Sequence, residues 1–124
     1  MSRKKLLLID DDDDIREVAK MTLETMADFE VITAPNGLAG LAEAEARKPD
    51  AILLDLMMPG IDGITTYQRL QESETTRSIP VIFMTAKVQA ADRKQLADLG
   101  GRGVIAKPFD PMTLSDEVNA LLNG

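Results

Sequence analysis

Apolar positions along the chain alternate between two periods. Residues 6–9 (Leu-Leu-Leu-Ile) form a short continuous run, the mark of a strand buried on both faces. Ile15, Val18, Ala19, Thr22, Leu23 and Met26 then recur at helical spacing. Phe29–Ala34 predicts a second strand, and Pro35-Asn36-Gly37 a turn. Leu38, Leu41, Ala42 and Ala46 suit a second helix, which Pro49 stops. A third apolar run at 51–54 ends at Asp55, and Pro59-Gly60 and Gly63 punctuate the loop after it. Ile64, Tyr67 and Leu70 return to helical spacing, and the polar stretch 72–79 predicts a loop. Pro80 opens the run 81–84, which ends at Thr85. Ala90–Leu99 predicts a helix stopped by Gly100-Gly101, and 104–106 a last short strand ending at Lys107. Asp110 suits an N-cap with Pro111 at the first helical position. Leu114, Val118, Leu121 and Leu122 form one face of the closing helix.

Five repeats of strand then helix predict an α/β fold, a parallel sheet with helices on both faces. Crossovers in such units are right-handed in nearly all cases. The length, 124 residues, suits a single domain over 1–124, with no second domain, linker or repeat. A domain of this size buries roughly two-thirds of its unfolded surface.

Polar residues end four of the five apolar runs: Asp10, Asp55, Thr85 and Lys107. In a parallel sheet all carboxyl ends of the strands share one edge, and ligands bind in the crevice outside it. Carboxylates from Asp10, Asp11 and Asp55 would meet there with the Thr85 hydroxyl and the Lys107 ammonium. Carboxylates plus water can hold Mg²⁺, while a hydroxyl and an ammonium suit phosphoryl oxygens. That combination describes phosphoryl transfer, with an aspartate oxygen as candidate nucleophile.

Asp10 belongs to a run of five aspartates, 10–14. Two unit charges about 4 Å apart at an effective dielectric near 20 repel by roughly 4 kcal/mol. A divalent cation can offset that repulsion, and so can a helix N-terminus. Asp10 and Asp11 lie nearest the strand end and are the metal candidates. Asp12, Asp13 and Asp14 are expected to start and cap a helix. Met57, Met58, Met84 and Met112 are expected as core filler.

Composition narrows the function classes. The formal charge of −7 argues against nucleic acid or an anionic membrane as partner. No cysteine or histidine is present, so the chain can offer neither thiolate nor imidazole chemistry. No apolar stretch reaches the ~20 residues of a membrane span, and the apolar run after the basic start is too short for a signal peptide. The cytoplasm is the expected location.

The motifs in order are Leu8-Ile9-Asp10-Asp11-Asp12, Leu54-Asp55-Leu56-Met57-Met58-Pro59-Gly60-Ile61-Asp62-Gly63, Met84-Thr85-Ala86 and Lys107-Pro108-Phe109. With these motifs the chain resembles the response-regulator receiver domain of two-component signalling, and is chemotaxis-receiver-like over essentially its whole length. The resemblance implies a flavodoxin-like, doubly wound fold with a five-stranded parallel sheet in order 2-1-3-4-5. It implies Asp55 as phosphoacceptor, taking a phosphoryl group from a phosphohistidine on a histidine kinase or histidine phosphotransfer protein. It implies Mg²⁺ held by Asp11, Asp55 and the backbone carbonyl of Met57, with Asp10 acting mainly through water. Thr85 and Lys107 would contact the phosphoryl oxygens, and the Lys107–Pro108 bond would be cis. The output would be control of another protein, with no turnover of an external substrate.

Two departures from the family pattern stand out. Many receivers carry an aromatic residue on the last strand where this chain has Val104, so the ring's rotamer switch cannot operate as such. The run Gly100-Gly101-Arg102-Gly103 is glycine-rich and is expected to loosen the loop before the last strand. Met57 and Lys87 occupy positions near the site that vary across the family and are expected to tune phosphate lifetime.

Two rival readings remain at this level. One is a Mg²⁺-dependent phosphohydrolase of the haloacid-dehalogenase type, with Asp10 as nucleophile and Asp12 as acid/base. That reading leaves Asp55 without a role and lacks an acidic pair after Lys107. The other is a degenerate receiver acting only as a binding scaffold, which the presence of all five key residues disfavours.

Overall fold

The computed structural model describes residues 3–58, 60–86 and 90–123, the side chains of 90–93 excepted. Five strands alternate with five helices: β1 (Lys4–Ile9), α1 (Asp13–Met26), β2 (Phe29–Ala34), α2 (Gly37–Arg47), β3 (Ala51–Asp55), α3 (Gly63–Glu72), β4 (Val81–Thr85), α4 (Ala90–Leu99), β5 (Gly103–Ala106) and α5 (Leu114–Asn123). The strands form one parallel sheet in the order β2-β1-β3-β4-β5. The α/β class, the sheet order and the strand positions agree with the sequence reading.

Strand pleating sorts the side chains into two cores, because successive residues point to opposite faces. Leu6 and Leu8 of β1, Leu53 of β3, and Ile82 and Met84 of β4 pack with Ala19 and Leu23 of α1 and Leu114 and Val118 of α5. Leu7, Ile9, Ile52, Leu54 and Phe83 take the other face, with Ala44 of α2, Tyr67 and Leu70 of α3 and Leu96 of α4. This double burial explains why the central strands read as continuous apolar runs rather than alternating ones.

Helix starts follow local polar chemistry. Asp12 caps α1 by accepting from the Asp14 and Ile15 amides, and Asn36 caps α2 through Ala39. Asp62 caps α3 through the Thr65 amide, and those hydrogen bonds hold its carboxyl below the usual range. The end of α2 falls before Pro49, at Lys48, which adopts a left-handed conformation. The last helix departs from the sequence reading. Asp110 accepts from the Met112 amide, and residues 111–113 form a turn, so α5 begins at Leu114 rather than Pro111.

The methionine expectation is half corrected. Met58 and Met84 are buried, but Met57 and Met112 are 56% and 70% exposed. Both exposed residues lie in connections after strand ends, where no helix covers them.

Gly63 fixes how closely α3 approaches the end of β3. A Cβ at this position would lie 2.4 Å from the Asp55 carbonyl oxygen and 2.5 Å from the Leu56 Cα. Both are backbone atoms and cannot rotate away. Gly63→Ala is therefore expected to cost about 1–3 kcal/mol, as overpacking typically does. A lowered urea midpoint with unchanged slope checks this; an unchanged midpoint would contradict it.

Candidate functional site

The carboxyl ends of β1, β3, β4 and β5 bring Asp10, Asp55, Thr85 and Lys107 to one edge of the sheet. Asp10 continues β1 by donating its amide to the Ala34 carbonyl at 3.1 Å. Its side chain is fully buried, with Oδ1 accepting from the Asp12 amide at 2.9 Å and Oδ2 from Lys107 Nζ at 3.0 Å. Asp55 ends β3 and is also fully buried. Its Oδ1 accepts from the Met57 amide at 3.1 Å. Its Oδ2 lies 3.2 Å from Lys107 Nζ, close enough for charge pairing but without hydrogen-bond alignment. Lys107 directs its hydrogen bond to Asp10, so one buried oxygen of Asp55 is left under-satisfied.

Asp11 is exposed, and carboxylate oxygens of Asp10, Asp11 and Asp55 all lie within 4.8 Å of one another. Three carboxylates against one ammonium leave two formal negative charges, which one divalent cation balances. The all-oxygen donor set and the orphaned Asp55 Oδ2 both fit a hard cation. The lower half of the aspartate run has a different task. Asp12 is the N-cap of α1, and Asp13 and Asp14 lie in its first turn, as the run's position predicts.

Thr85 is buried at the end of β4, and its carbonyl accepts from the Lys107 amide at 3.0 Å. The Lys107–Pro108 peptide bond is cis. An open cavity of about 280 Å³ leads to the site, lined by Ile15, Asp55, Met57, Ala86, Lys107 and Pro108. Met57 stands on its rim. Lys87 lies outside the described residues.

Electrostatics separate the two ionic partners. Burial pushes the Asp55 carboxyl up to about 6, opposed by the Met57 amide, raised further by the Asp10 charge, and lowered by Lys107. For Lys107, burial acts downward, but the hydrogen bond to Asp10 and the charges of Asp10 and Asp55 outweigh it, and the net shift is upward.

The chain matches the family model of the response regulator receiver domain over residues 6–119. It belongs to the response-regulator receiver domain family. The receiver is 42% identical over 108 residues to the DNA-binding dual master transcriptional regulator RpaA of Synechocystis sp., covering 87% of this chain and 44% of that protein. It is 39% identical over 95 residues to protein PilH of Pseudomonas aeruginosa, covering 77% of this chain and 78% of that protein. The solved structure of the chemotaxis response regulator CheY4 of Vibrio cholerae superimposes with a TM-score of 0.89 at 28% identity, covering 97% of this chain and 99% of that one. The receiver spans less than half of RpaA, and only 22% of the response regulator PleD of Caulobacter vibrioides.

The receiver's departures from the family pattern have packing causes. Val104 sits opposite Phe83 in the β4–β5 ladder and packs on the same core. Phe83 is fully buried and meets Tyr67 edge-on, with ring centroids 5.1 Å apart. The aromatic volume of this region therefore lies on β4. Gly101 is required by it, since a Cβ there would lie 2.2 Å from the Phe83 ring. Gly103 likewise accommodates Leu121, so the glycine-rich run serves close packing. A cavity of about 130 Å³ lies beside Val104, Phe83, Leu96 and Gly101.

Arg16 escaped the sequence reading. Its guanidinium donates to the Asp10 carbonyl at 2.7 Å and pairs with Asp13. The available signal was its position: a cation near the N-terminal end of a helix opposes the macrodipole unless something engages it.

The elevated Asp55 carboxyl has a consequence for stability. Between the ordinary value of 3.8 and about 6, the folded receiver holds this proton and the unfolded chain does not. Stability from this group is therefore greatest at low pH and declines as pH rises through that window. At roughly 1.4 kcal/mol per unit the full effect is about 3 kcal/mol, an upper bound given the coupling to Lys107. Metal-free Asp55→Asn is expected to be more stable than the parent by about 1–3 kcal/mol at pH 7.5. Urea melts in chelator should show that gain shrinking toward pH 4.5; a pH-independent gain would contradict it.

Proposed function

We propose that this chain is a single receiver domain over 1–124 that accepts a phosphoryl group on Asp55 from a partner phosphohistidine, with Mg²⁺ as cofactor. The observation that carries the reading is the under-satisfied Asp55 Oδ2, facing Lys107 within reach of Asp10 and Asp11. Asp11, Asp55 and the Met57 carbonyl would hold the metal directly, with Asp10 acting mainly through water. The cation supplies charge neutralisation for the carboxylates and the phosphoryl oxygens.

A carboxylate oxygen of Asp55 forms the new bond to phosphorus as the phosphorus–nitrogen bond of the donor imidazole breaks. Imidazole leaves with its bonding pair and takes a proton from solvent. Lys107 meets one developing phosphoryl charge and Thr85 donates to another oxygen. Membership of the receiver family supports a histidine kinase or a histidine phosphotransfer protein as donor, and a chain without histidine must meet the donor imidazole on another protein.

Phosphorylation adds negative charge and acceptor oxygens at Asp55. Thr85 and Lys107 are joined by the Lys107 amide–Thr85 carbonyl bond, so movement toward the phosphoryl group is shared by the two loops. The signal leaves through the face of α4, β5 and α5, with packing at Val104 in place of an aromatic ring, to an output protein. We assign no nucleic-acid or membrane contact to this acidic chain, and place it in the cytoplasm. Among the described residues no helix is long and apolar enough to cross a membrane.

A phosphohydrolase with Asp10 as nucleophile fits the geometry less well. Both Asp10 oxygens are engaged in hydrogen bonds, whereas Asp55 Oδ2 is not, and Asp55 lines the cavity. The chain is accordingly proposed to turn over no external substrate.

Incubation with Mg²⁺ and a small phosphodonor such as acetyl phosphate, followed by peptide mapping, tests the proposal. Label is expected on Asp55, abolished in Asp55→Asn and reduced at least 10-fold in Lys107→Ala. Label on folded Asp55→Asn protein, or its location on Asp10, would overturn the assignment.

A further inference from the structure

One cation beside the site has no part in phosphoryl chemistry. Arg16 is the fourth residue of α1, near the end whose dipole disfavours a cation. Its side chain is nevertheless only 17% exposed, against 88% for Asp13, with which it pairs. The guanidinium folds back over the loop that precedes its own helix and donates to the Asp10 carbonyl.

That contact completes a set. The Asp10 amide bonds Ala34, Oδ1 receives the Asp12 amide, Oδ2 receives Lys107, and the carbonyl receives Arg16. Every polar atom of Asp10 is thus tied to a different group. The Asp10 carbonyl belongs to the peptide unit leading directly into Asp11. Asp11 itself has no hydrogen-bond partner among the described residues, yet its carboxylate lies within 4.8 Å of those of Asp10 and Asp55. Arg16 therefore holds the peptide unit from which Asp11 extends.

We propose that Arg16 is a positioning residue for the metal ligands. By grasping the Asp10 carbonyl and the Asp13 carboxylate with one planar fork, it fixes the Asp10–Asp11 peptide and keeps the Asp11 carboxylate turned toward Asp55. This rests on the reading of Asp10, Asp11 and Asp55 as the cation site.

Two effects of Arg16 on a bound cation have opposite signs. Its charge repels a cation, so electrostatics alone predicts that neutralising it tightens Mg²⁺ binding. Its grip on the loop preorganises the ligands, so positioning predicts that neutralising it weakens binding. The sign of the change therefore separates the two roles.

The test is calorimetric titration of Mg²⁺ into the metal-free full chain, well below the melting temperature, for wild type, Arg16→Gln and Arg16→Lys. Arg16→Gln is expected to bind Mg²⁺ about 10-fold more weakly, the usual scale for a residue that orients metal ligands. Arg16→Lys keeps the charge and at most one of the two contacts, and is expected to bind more weakly than wild type. Phosphoryl uptake by Arg16→Gln should recover at saturating Mg²⁺, because the acceptor and its phosphoryl contacts are untouched. Arg16→Gln that is folded and binds Mg²⁺ as tightly as wild type, or more tightly, would overturn the inference while leaving the metal site intact. Wild type that binds no Mg²⁺ would overturn the metal site and the inference together.

Discussion

A single ammonium between two buried carboxylates holds the functional edge of this molecule together. Lys107 Nζ lies 3.0 Å from Asp10 and 3.2 Å from Asp55, and joins residues 97 positions apart in the chain. Burying three ionic groups carries a desolvation cost that mutual attraction need not recover. Here it is not fully recovered, since Asp55 is held near 6 and one of its oxygens lacks a hydrogen bond. The arrangement is better understood as stored reactivity than as a source of stability. A group that adds positive charge, or a phosphoryl group that offers new oxygens to Lys107, relaxes it.

The sheet makes this possible. Parallel strands with continuous apolar runs bury both faces, and their carboxyl ends must then carry whatever polar chemistry the domain has. The same geometry divides the five aspartates. Asp10 and Asp11 fall at the strand end and join the cluster, while Asp12 caps α1 and Asp13 and Asp14 meet its dipole. Arg16 links the two halves, because one guanidinium spans the carbonyl of Asp10 and the carboxylate of Asp13.

Most of the fold was legible because its elements are long, strongly periodic and bounded by clear stop signals. The run at 6–9, the Asp12 cap and the Gly100 break all fell where residue chemistry puts them, while the turn read at Pro35-Asn36-Gly37 is the capped start of α2. The convergence of Asp10, Asp55, Thr85 and Lys107 was legible because parallel strands end at one edge. What escaped depends on three-dimensional packing. Met57 and Met112 carry no sequence mark to distinguish them from the buried Met58 and Met84. Asp110 with Pro111 resembles a helix start, yet the chain makes one more turn before α5. The glycines at 101 and 103 answer to close packing on Phe83 and Leu121, residues distant in sequence. Arg16 escaped because its partner, the Asp10 carbonyl, is a backbone group that residue identity does not mark.

The Asp10, Asp11 and Asp55 carboxylates are proposed to form one cation site whose repulsion a divalent ion relieves. Urea unfolding with and without 10 mM Mg²⁺, on wild type and Asp11→Asn, tests this most directly. The account predicts that Mg²⁺ stabilises wild type, and that most of the gain disappears when Asp11 loses its charge. Equal gains in the two proteins, or none in wild type, would contradict it.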